Sequence, residues 1–72
     1  MENKEEVLAR LKQAADDWPA YWRTGKGENP RAYVSKIWLE VYGKRLNCCN
    51  RTFITHVYKL MNKIDPPKFL NR

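Results

Sequence analysis

Histidine occurs once in this 72-residue chain, cysteine twice and glycine three times, and the two cysteines are neighbours. Two cysteines cannot build a disulfide framework, and a bond between Cys48 and Cys49 would strain the peptide that joins them. They are expected as reduced thiols, which suits a cytoplasmic protein (or one inside a host cell or virion, if viral) rather than a secreted one. Zinc takes about four ligands, commonly from paired cysteines a few residues apart, and no such set is present. Cys49 and His56 are seven positions apart, so on a helix they would lie about 10 Å from each other along the axis. That separation excludes both a shared metal ion and a hydrogen-bonded nucleophile–base pair. Asp16 and Asp17 are adjacent and point apart on a helix. No P-loop or glycine-rich strand–turn–helix pattern occurs. The expectation is a non-enzymatic protein with no metal, no cofactor and no small-molecule substrate. No stretch approaches the roughly 20 apolar residues of a membrane span, and charged residues follow Met1 where a leader would be apolar.

Positive charge is what the chain does have. Its net charge is +6. Residues 1–28 sum to −1, and residues 29–72 to +7, with only Glu40 and Asp65 as acids in the second part. Such asymmetry directs the second half toward an anionic partner, although a charge of this size also serves solubility.

Helical periodicity is the dominant pattern, and no strand signal or internal repeat accompanies it. The fold class expected is all-α, a single three-helix domain over 1–72 with its last two helices resembling a helix-turn-helix unit. A first helix is predicted over about 4–16. Asn3 is its cap, Glu6 reciprocates, and Leu8, Leu11, Ala15 and Trp18 form one stripe. Pro19 is expected to break it within WPAYW, because proline restricts the residue before it and lacks an N–H. RTGKGEN, 23–29, then reads as a loop. A second helix is predicted over 30–42, with Asn29 as cap, Pro30 at its first position and Gly43 as its stop. A third is predicted over about 48–64, ended by Asp65-Pro66-Pro67, with a short basic tail over 66–72.

The third helix divides into two halves at 100° per residue. Cys49, Phe53, Ile54, Val57, Tyr58, Leu60, Met61 and Ile64 make the apolar half, in which Cys49 is a small core residue and Cys48 lies outside. Arg51, Thr52, Thr55, His56, Lys59 and Lys63 are on the other half. Arginine pairs with guanine edges and threonine with base edges or a thymine methyl, which makes Arg51, Thr52, Thr55 and Lys59 candidate nucleic-acid contacts. Lys44, Arg45 and Lys63 are candidate phosphate contacts, and Asn50 at the helix start is another.

The stretch between residues 18 and 42 is rich in Trp and Tyr. These rings either complete a core that the first helix fills thinly or anchor a partner protein, the role in which Trp, Tyr and Arg dominate. The second reading makes Trp22, Trp38, Leu39 and Tyr42 a protein interface. The two readings separate on burial of Trp38, Leu39 and Tyr42 and on whether Arg51, Thr55 and Lys59 project together. In size and in its aromatic, basic helices the chain resembles the small accessory proteins of tailed phages. That resemblance implies a virion or accessory subunit, or an inhibitor of a host protein, and supplies no site residues.

Overall fold

Asparagine side chains start the first two helices. The Asn3 carboxamide oxygen accepts from the Glu6 N–H at 2.8 Å, and that of Asn29 from the Arg31 N–H at 3.0 Å. The computed structural model describes residues 3–67 and has helices α1 (Lys4–Thr24), α2 (Pro30–Tyr42) and α3 (Phe53–Ile64), with one 3-10 turn over Asn50–Thr52 before α3. No strand occurs among the described residues, so the chain is a small all-α, three-helix fold. The tail residues 68–72 lie outside the described residues.

The first helix differs from expectation. It runs through Pro19 to Thr24, so the break in 18–22 is absent and the loop shortens to 25–29. An interior proline removes one helical hydrogen bond, here the one to the Ala15 carbonyl, at a cost of about 3 kcal/mol. Continuing the helix keeps Trp18 in the core and lets Tyr21 pack against it. Fully burying a large side chain contributes about 1.5–3 kcal/mol, so Trp18 together with the half-buried Tyr21 offsets much of the loss. The helix stops where Gly25 adopts φ 68° and its N–H bonds the Tyr21 carbonyl at 2.7 Å. Gly43 ends α2 in the same way, as the sequence predicts, with φ 72° and a 2.9 Å bond to the Leu39 carbonyl.

Leu11, Ala14, Ala15 and Trp18 of α1 meet Val34, Ile37 and Trp38 of α2 and Phe53, Val57 and Leu60 of α3 in one buried cluster. Lys4 at the start of α1 pairs with Asp65 just past α3 (3.0 Å), and Trp18 lies 4.3 Å from Phe53 at the start of α3. α1 and α3 are therefore antiparallel. The short 25–29 loop returns α2 along α1, with the Arg10 guanidinium 4.0 Å from the centre of the Tyr33 ring. α2 and α3 then point the same way, and the connection over 43–49 must travel back along α2. Arg45 and Leu46 accordingly line a groove with Ala32, Ser35, Lys36 and Leu39. At the far end, Arg31 reaches the Cys48 carbonyl at 2.6 Å. This extended return is not the three- to four-residue turn of a helix-turn-helix unit, so that likeness is not carried by the connection.

Candidate nucleic-acid interface

The start of α3 is held by long-range contacts. The Arg31 guanidinium donates to the Cys48 carbonyl at 2.6 Å and to the Asn50 side-chain oxygen at 3.2 Å, while the Trp18 indole N–H donates to the Asn50 carbonyl at 3.2 Å. Asn50, expected as a phosphate holder, instead joins α1 and α2 to α3. Phe53 is fully buried beneath this junction. With Phe53, Val57 and Leu60 turned inward, the opposite face of α3 must face solvent.

That face carries the expected residues. Arg51, Thr52, Thr55, Lys59 and Lys63 are all exposed, as are Lys44 and Arg45 in the connection. Thr55, Lys59 and Lys63 are spaced by four and form a stripe that drifts about 40° per step. Arg51 precedes them in the 3-10 turn. Among the described residues none of Lys44, Arg45, Arg51, Lys59 and Lys63 makes an ion pair. The nearest acid in the chain beyond α3, Asp65, is engaged by Lys4 at 3.0 Å. The positive charge of this face is therefore not neutralised from within.

The aromatic candidates divide. Trp38 is 6% exposed, which corrects its expected place among the exposed anchors. It sits in the α2–α3 seam, with the Tyr42 ring 4.2 Å away and His56 5.6 Å away, and its indole N–H has no hydrogen-bond partner. Tyr42 is half-buried against it, while Leu39 and Trp22 are 50% and 59% exposed. His56 is turned back onto its own helix. Its Nδ1 donates to the Thr52 carbonyl at 2.8 Å, since a carbonyl can only accept.

Cys49, expected as a small core residue, is instead exposed. Cys48 is half-buried against the core. The helical pattern of α3 cannot be projected back past the 3-10 turn, because residues 45–49 are not helical and Cys49 itself is extended. Cys49 precedes that turn, with Sγ 3.5 Å from the Thr52 hydroxyl. Hydrogen bonding from Thr52 holds the Cys49 thiol below its ordinary pKa. Among the described residues no three His, Cys, Asp or Glu side chains come together as metal ligands. No described helix is long and apolar enough to cross a membrane.

Arg31 was not visible as a junction residue from sequence, because its partners lie 17 and 19 positions away. Comparison with protein-family models, with curated proteins and with solved structures returns no match.

Proposed function

We propose that this chain is a small non-enzymatic nucleic-acid-binding module that uses the outward face of α3 and the adjoining connection. One observation carries the reading. Five cations, Arg51, Lys59 and Lys63 together with Lys44 and Arg45, are exposed and free of acid partners among the described residues. Phosphate contacts of this kind supply most non-specific affinity and make it depend steeply on salt. In this reading Arg51, Thr52, Thr55 and Lys59 are the contacts to base edges, and Lys44, Arg45 and Lys63 the contacts to phosphates. The test is binding of labelled duplex and single-stranded oligonucleotides at low and high salt. The reading expects binding that weakens with salt and drops further in Arg51→Ala and Lys59→Ala. No binding of either form at low salt would sink it.

A protein-docking role is the second reading, favoured by the exposure of Leu39 at 50% and Trp22 at 59%. Leu39 lies in the groove beside Lys36 and Arg45, so an acidic apolar segment is the partner that groove suits. A phage virion or accessory subunit, or an inhibitor of a host protein, would fit this second reading.

A further inference from the structure

We infer that the overhanging end of α1 is a stacking site for an unpaired nucleobase, with Trp22 as the ring and Arg23 and Arg51 as the contacts to the flanking phosphates. The inference rests on the nucleic-acid reading and narrows it to single strands.

Leu11, Ala15, Trp18 and Trp22 follow one another at spacings of four, three and four on α1. The first three are buried, at 0%, 4% and 6% exposure, yet Trp22 is 59% exposed. Length explains this. α1 has 21 residues and α3 has 12, roughly 31 Å against 18 Å. α3 begins level with Trp18, so the next turn of α1 presents its core-facing residue beyond the end of the bundle. Among the described residues nothing covers that ring.

The ring is nonetheless backed by a fixed partner. Trp22 and Trp18 have centroids 6.0 Å apart at 34°, and Trp18 is itself held by Phe53 and by its bond to the Asn50 carbonyl. Arg23 is its neighbour in sequence, and Arg51 follows the Asn50 to which Trp18 is bonded. Both arginines are exposed and make no ion pair among the described residues. On the same flank of α1, Asp16 is engaged by Lys12 at 3.0 and 3.1 Å. A flat aromatic body with anions beside it matches this arrangement, and single-stranded nucleic acid repeats that unit along its length. A duplex stacks its base faces away, whereas exposed bases stack on aromatic rings with little regard for sequence. Arg23 and Arg51, neither of them ion-paired among the described residues, suit phosphates.

The test compares a single-stranded oligothymidine with a duplex of equal length on the full chain and on Trp22→Phe, Trp22→Leu and Trp22→Ala. The leucine variant keeps an apolar side chain and removes the π face. Leucine and alanine should each lower the ratio of single-strand to duplex affinity about 5- to 160-fold, and phenylalanine should retain most of it. Circular dichroism of each variant confirms that the fold is kept. If Trp22→Leu binds single strands as the parent does, while Arg51→Ala still weakens binding, stacking is overturned and the basic face stands. If the parent chain binds neither form, the nucleic-acid reading fails and this inference with it.

Discussion

Trp18 and Trp22 are the same residue type, one turn apart on the same stripe of α1, and they meet opposite fates. Trp18 is 6% exposed, packed on Phe53 and hydrogen-bonded to Asn50; Trp22 is 59% exposed. The difference lies in what stands opposite. The bundle ends at the Arg31–Asn50 junction, and the amphipathic stripe of α1 does not. A core pattern that outlasts its core leaves an exposed apolar ring at the end of the bundle.

The comparison can be broken most directly by truncating both rings. Trp18→Ala should cost about 3–5 kcal/mol, the range for emptying a large aromatic site in a core. A domain this small has a total stability of roughly 4–11 kcal/mol, so urea denaturation should find the variant largely or partly unfolded. Trp22→Ala should shift stability by less than about 0.5 kcal/mol. Equal losses at the two sites would mean that Trp22 is covered. The junction itself comes next. Arg31→Ala should cost about 1.5–3 kcal/mol, because two bonds from a charged donor are lost and the Cys48 carbonyl is left in need of a partner. Arg31→Lys should not restore it, since one ammonium cannot match the two directed guanidinium N–H groups. Both are read by the midpoint of thermal unfolding.

A smaller effect sharpens the account of the overhang. Pro19→Ala should stabilise the chain by about 1–2 kcal/mol, as the helix regains a hydrogen bond while the unfolded chain gains freedom. A loss of stability would contradict a helix that runs through residue 19. The smallest effect separates the two cysteines at the same end. Cys49, exposed and with its pKa lowered by Thr52, holds more thiolate below its ordinary pKa and should alkylate faster than the half-buried Cys48 near neutral pH. Thr52→Val should slow Cys49 near neutrality. The slowing should vanish at alkaline pH, where the thiol is ionised with or without the threonine. Site-resolved mass spectrometry after a timed alkylation reads all three.

What was legible in the sequence was local. Asn29-Pro30 and Gly43 bound α2 because a cap, a first-turn proline and a left-handed glycine each act within a few residues. The polar face of α3 was legible because Phe53, Val57 and Leu60 set its phase. Pro19 was misread because the local cost of an interior proline was weighed without the burial of Trp18 against α3 and the packing of Tyr21 on Trp18. Cys49 was misplaced because one helical phase was carried across a 3-10 turn into non-helical chain. The exposure of Trp22 follows from the relative lengths of α1 and α3, and the sequence shows that mismatch only once α1 is known to continue past Pro19. Arg31 carries no local signal, since its role exists only when α2 and the 43–49 connection lie side by side.

The most direct test of the central claim is the salt dependence of oligonucleotide binding, measured as log K against log salt for the parent chain and for Lys44→Ala, Lys63→Ala and their double variant. Each residue that neutralises a phosphate contributes about one unit to the slope on a duplex. The account predicts a slope that falls by about one for each single variant and about two for the double. A slope that is the same in all four proteins, or no measurable binding at the lowest salt, would contradict it and turn attention to Leu39 and Trp22 as contacts for another protein.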